Sequence, residues 1–80
     1  MKLSELDTWW SSLTTVRKER IGSKIATKKL GKPTVVKYPD CTDYWLELDD
    51  ENKQRIHDHC IDEHGYFLPE DPIDTITFSY

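Results

Sequence analysis

Residues 10–21 read WSSLTTVRKERI and residues 45–56 read WLELDDENKQRI. Both follow the pattern W-x-x-L-x-x-x-x-K-x-R-I. Trp10, Leu13, Lys18, Arg20 and Ile21 recur as Trp45, Leu48, Lys53, Arg55 and Ile56, each pair 35 residues apart. At the same offset Trp9 aligns with Tyr44, and Ile25 with Cys60. Self-similarity at a constant interval marks repetition of one supersecondary unit that cannot bury its own apolar face. The chain therefore reads as a single domain, 1–80, built from pseudo-repeats 3–38 and 41–80.

Each copy carries the physics of a helix pair. Ile21 and Ile25 are spaced by four, as are Ile56 and Cys60, which sets each pair on one buried helical face. The Lys and Arg between them fall toward solvent. A residue able to cap precedes each long helix, Thr14 in the first copy and Asp49 in the second. Asp50 and Glu51 add negative charge to the first turn, where the helix dipole favours it. A shorter helix precedes each long one. In the first copy Ser4 is a capping residue with Asp7 three positions on, and Leu3, Leu6, Trp10 and Leu13 form the apolar stripe. In the second copy Asp40 or Thr42 starts a single turn that carries Tyr44 and Trp45.

Punctuation then closes each copy. Gly31 followed by Pro33 is a strong stop after the first long helix, and Gly65 follows the second after His64. Beyond these stops the residue types favour strands. Residues Thr34–Tyr38 are rich in β-branched side chains. Asp74–Tyr80 alternates, with Ile76, Phe78 and Tyr80 on one face. The expected fold is α+β: a small, mainly helical domain of two helix–helix–strand units whose strands pair as a short ribbon.

Length and charge limit the function. Eighty residues make one modest domain, too short for a multi-domain enzyme. The net charge of −4 hides two opposite halves. Residues 1–40 hold nine Lys/Arg against four Asp/Glu, a net +5, and residues 41–80 hold two against eleven, a net −9. Such asymmetry points to a charged partner. No apolar run resembles a signal peptide or approaches a membrane span, so no membrane partner is expected. Two cysteines are too few for a disulfide-built secreted domain of this size, which indicates a cytoplasmic chain with free thiols.

Three binding readings follow. The first is a small, non-enzymatic regulatory or inhibitor-like protein that binds a protein partner. Its contact would be the acidic face of Asp43, Glu47, Asp50, Glu51, Asp58 and Asp62, or the C-terminal strand, whose edge could also form a homodimer. The second is nucleic-acid binding through the basic face from Arg17 to Lys37, with Arg17, Arg20, Lys24, Lys28 and Lys32 neutralising phosphates. The third is a zinc site built from Cys41, His57, Cys60 and His64, because imidazole and thiolate suit that ion. His57, Cys60 and His64 form an i, i+3, i+7 stripe, but three ligands on one helix span about 10 Å of axis and strain closure around a single ion. No cofactor is expected. The singly scattered glycines form no phosphate loop, and acidic surroundings raise a thiol's pKa and so oppose a catalytic cysteine.

Overall fold

A computed structural model of the chain describes residues 3–69 and 72–76. Four α-helices follow one another: α1 (Leu3–Ser12), α2 (Thr15–Leu30), α3 (Asp40–Glu47) and α4 (Asp50–Cys60), and a 3-10 turn spans Pro72–Thr75. α2 packs on α3, and α1 packs on α4, while the 3-10 turn bridges α2 and α4.

The caps behave as their chemistry requires. The Thr14 side chain accepts the Arg17 N–H, and the Asp49 carboxylate accepts the Asn52 N–H at 2.8 Å. Gly31 closes α2 in the left-handed region, φ 72°, with its N–H on the Thr27 carbonyl. α1 already includes Ser4, so that residue is not its cap. α3 is longer than the expected single turn, and its N-cap position, Pro39, makes no side-chain cap bond.

The core is centred on two indoles. Trp10 and Trp45 stack with ring centroids 4.9 Å apart and planes 9° from parallel, joining α1 to α3. A buried indole N–H needs an acceptor. Trp10 Nε1 donates to Thr42 Oγ1 at 3.2 Å, and Trp45 Nε1 donates to Asp7 Oδ1 at 2.9 Å. The two bonds are reciprocal: each indole reaches across to the other short helix, three residues N-terminal of the opposite Trp. Leu6, Ile21, Ile25, Ala26, Ile56 and Ile73 close around the stack, with Cys41 and Cys60 as buried thiols.

Asp7 accepts a second bond on the same oxygen, from Lys53 Nζ at 3.0 Å. Lys53 is thus not on the solvent side, as its place in the pattern suggested. Its side chain is 3% exposed, and its ammonium lies 5.5 Å from the centre of the Trp45 ring. Burial pushes the Asp7 carboxyl up, but the hydrogen bonds from Lys53 and Trp45 and the lysine charge outweigh it and hold the group below its ordinary value.

Gly22 and His57 stand 35 residues apart, at corresponding places in the two copies, and both are buried. A Cβ on Gly22 would sit 2.4 Å from Cys41 Cβ and 2.8 Å from its Cα, so α2 and α3 cross in contact. The corresponding position on α4 holds an imidazole, set edge-on against Trp9 with centroids 4.9 Å apart.

The expected strand ribbon is absent, so the α+β assignment is corrected: among the described residues there are helices and no strands. Residues 33–37 form neither helix nor strand. Ser23 and Thr27 of α2 bond their main chain instead. The second strand was expected at Asp74–Tyr80. Its start belongs to the 3-10 turn, and residues 77–80 lie outside the described residues. Pro72 presets a φ compatible with that turn, and the Thr75 hydroxyl and the His59 ring both bond the Pro72 carbonyl, at 3.0 Å each. The homodimer contact expected through the C-terminal strand falls mainly on residues 77–80, outside the described residues.

Two measurements test this packing. Gly22→Ala should destabilise by about 1–3 kcal/mol, because overpacking at a helix crossing exceeds the roughly 1 kcal/mol that alanine gains in helix propensity. Thermal unfolding should show a loss of several degrees, and an unchanged midpoint would refute the close crossing. Asp7 has a folded pKa below its unfolded one, so its stabilisation is present above the unfolded value of about 3.9 and is lost as pH falls through the folded value. Asp7→Asn should cost about 1–3 kcal/mol at pH 7, leaving a buried ammonium without its counter-charge. It should also flatten the fall of stability with acid, measured by urea titrations between pH 2 and 7.

Candidate functional site

Polar pairing on one face of α2 creates the site. Ser23 and Thr27 stand one turn apart, rising about 6.0 Å along the helix, while alternate residues of an extended chain repeat at about 6.6 Å. The two spacings match closely enough for the hydroxyls to act as a neighbouring strand. Thr27 Oγ1 accepts the Thr34 N–H at 3.0 Å and donates to the Thr34 carbonyl at 3.2 Å. Ser23 Oγ accepts the Val36 N–H at 2.9 Å, and its proton is shared between the carbonyls of Glu19 at 2.7 Å and Val36 at 3.3 Å. Glu19 completes the attachment, its carboxylate accepting the Tyr38 N–H at 2.9 Å. Val36 points inward and is buried, so Val35 points outward and is 78% exposed.

An open groove of about 660 Å³ results, bounded by α2, by residues 33–37 and by Ile73 and Asp74 of the 3-10 turn. Val16, 65% exposed, forms part of its wall with Val35. A smaller hollow of about 350 Å³ continues the groove along α2 and shares Val16, Arg20 and Ile73 with it. Phe67 borders that hollow, with the Arg17 guanidinium 3.8 Å above its ring centre.

The groove's charges are unevenly satisfied. Arg20 bonds Asp74 at 2.8 Å, and Glu19 is taken by the Tyr38 amide. Lys24 Nζ reaches the neutral main-chain carbonyl of Asp74 at 3.4 Å. Lys37, also on the groove, has no carboxylate partner among the described residues.

The structure distributes the other candidate residues as follows. Of the acidic face, Asp43 and Asp50 are exposed helix residues, whereas Glu47 pairs with Lys29 and Glu51 with Arg55. Asp58 accepts from Gln54 and lies against His57. Burial raises its pKa, but those two bonds and the imidazole charge bring it below its ordinary value. Asp62 folds a turn, its carboxylate accepting the amides of His64 and Tyr66. Of the basic face, Arg17 and Arg20 are engaged as above, while Lys28 and Lys32 are exposed and have no partner among the described residues.

The metal candidates do not come together. α4 ends at Cys60, so the stripe stops before His64, which is exposed in the turn beside Glu63. Cys41 is buried against Gly22 on the other helix pair. Among the described residues, no three His, Cys, Asp or Glu side chains gather where they could hold a metal ion. The Cys41 thiol pKa is raised by burial and further by Glu19, despite a bond to Thr42. Val16, Val35, Ser23 and Thr27 were not among the sequence candidates. The available signal was a pair of hydroxyls four apart on a helix, followed by Gly31, Pro33 and a β-branched run.

This fold and groove define a small, mainly helical domain with an open cleft lined by apolar and charged side chains. The chain matches no protein-family model, no curated protein and no solved structure. Among the described residues no helix is long and apolar enough to cross a membrane.

The hydroxyl attachment has a direct test. Ser23→Ala with Thr27→Val leaves the Thr34 and Val36 amides without acceptors, at about 1 kcal/mol each. Hydrogen exchange at those two amides should accelerate at least severalfold while amides inside α4 stay protected. Unchanged exchange at both would show that packing alone holds the segment.

Proposed function

We propose that this protein is a small, non-enzymatic regulator or inhibitor of the cytoplasm that acts by binding a protein partner, and that the α2 groove is its contact surface. The observation that carries this reading is the exposure of Val16 and Val35 on the walls of one continuous cleft, in a domain whose other valine, Val36, is buried. Apolar side chains grouped at an open concavity mark binding surfaces more often than apolar residues scattered singly. The groove favours binding over catalysis. Its hydroxyls, on Ser23, Thr27 and Thr34, are engaged in the attachment of the 33–37 segment, and neither a thiol nor an imidazole lines it. The acidic face supports the reading less well, since four of its six carboxylates are held within the domain.

Nucleic-acid binding is the second reading, favoured by the exposed Lys28, Lys32 and Lys37, whose ammonium groups have no carboxylate partner among the described residues. It is weakened by the engagement of Arg17 with Phe67 and of Arg20 with Asp74.

Capture from a nuclease-treated extract of the native host separates these readings. The unmodified protein should retain a protein that Val16→Asp with Val35→Asp releases, and that Asp43→Lys with Asp50→Lys still holds. The fold should tolerate the first pair, since both side chains are exposed and Asp is favourable in the first turn of α2. Retention lost only on acidic-face reversal would transfer the contact to that face. Binding only to a labelled 20-nucleotide strand at low salt would favour the second reading.

A further inference from the structure

We infer that the segment of the partner that fills the α2 groove is an acidic one, in which apolar side chains alternate with or flank carboxylates. The inference rests on the protein-binding reading of the groove and specifies the chemistry of the ligand.

Charge complementarity carries it. Among the described residues two acids and three bases border the groove, but they are not equally available. Asp74 is neutralised by Arg20, and Glu19 is committed to the Tyr38 amide, which holds the segment in place. Lys24 meets only a carbonyl, and Lys37 meets no carboxylate among the described residues. Glu19 keeps its negative charge while bonded to the Tyr38 amide, so with Arg20 and Asp74 cancelling, the described lining is left with two lysines against one carboxylate, a net +1, the lysines on opposite walls, one from α2 and one from residues 33–37. Lys28 lies one turn beyond Lys24 on α2, and Lys32 precedes the segment, so the surroundings reinforce that sign. The same lining includes the exposed side chains of Val16 and Val35.

A ligand of purely phosphate character would use the lysines and leave the valines uncovered. A neutral apolar segment would cover the valines and leave the lysines without partners. A segment with both features satisfies the whole surface, and ammonium groups at a cleft margin keep their hydration until a carboxylate arrives, which favours fast, selective encounter.

The full chain, immobilised, should be used to select from a displayed library of random 12-residue peptides. Enriched sequences should carry two or more carboxylates together with aliphatic or aromatic residues. Each should bind roughly tenfold more weakly to Lys24→Gln with Lys37→Gln, a change that two partly exposed ion pairs account for. Binding should vanish with Val16→Asp and Val35→Asp, and should weaken with salt. Peptides that are neutral or basic, lost with the valine pair but indifferent to the lysine pair, would overturn the acidic ligand and leave the groove as a protein contact. Peptides indifferent to the valine pair would overturn the groove reading itself. Self-association by sedimentation, released by the same valine changes, would replace the acidic peptide with a second copy of the chain.

Discussion

The stacked indoles of Trp10 and Trp45 are the interaction on which the other contacts depend. A parallel aromatic pair adds about 0.5–1.5 kcal/mol beyond the burial of its surface. It also brings two N–H groups into the interior, and each must find an acceptor there. Thr42 and Asp7 provide them from opposite short helices. The stack therefore sets α1 against α3 at a defined register, since a shift of either helix would separate a ring from its acceptor. Asp7 extends the constraint by taking Lys53, which ties α4 to the same seam.

Around that reciprocal centre the two helix pairs differ. Glycine at position 22 lets α2 and α3 meet backbone to side chain, while His57 at the corresponding place on α4 holds a ring between α4 and Trp9. The difference is one of side-chain volume at a single aligned position. The second pair also carries its own polar closure, His57 on Asp58 and His59 on the 3-10 turn. The first carries its closure in the Ser23 and Thr27 hydroxyls. Helix rise and strand repeat are close in length, so a helix can hold an extended chain without a sheet.

The groove follows from that substitution of hydroxyls for a strand. Because alternate residues of an extended segment face opposite ways, turning Val36 into the core leaves Val35 outside. The cleft is thus a by-product of how the segment is held, and its charge is a by-product of which ions find internal partners. Among the described residues, the lining of the cleft holds three bases against two acids, although the chain's net charge is negative.

Local chemistry by itself determined much of this protein. Thr14 and Asp49 start their helices, Gly31 ends α2, and Ile21, Ile25, Ile56 and Cys60 fall on buried faces, because caps and 3.6-residue periodicity act within a few positions. The spacing of the two tryptophans likewise marked both as core. Several outcomes were decided only by residues far apart in the chain. Lys53 reads as a solvent lysine until Asp7, 46 residues away, gives its buried ammonium a counter-charge. Thr34–Tyr38 reads as a strand because β-branched residues favour extended backbone, but its main chain pairs with the Ser23 and Thr27 hydroxyls of α2 and not with another strand. His64 leaves the helix because Asp62 offers the chain a turn that competes with another helical residue. Which charges remain for a partner is a property of the assembled domain alone, since an ion's availability depends on neighbours that only folding brings within reach.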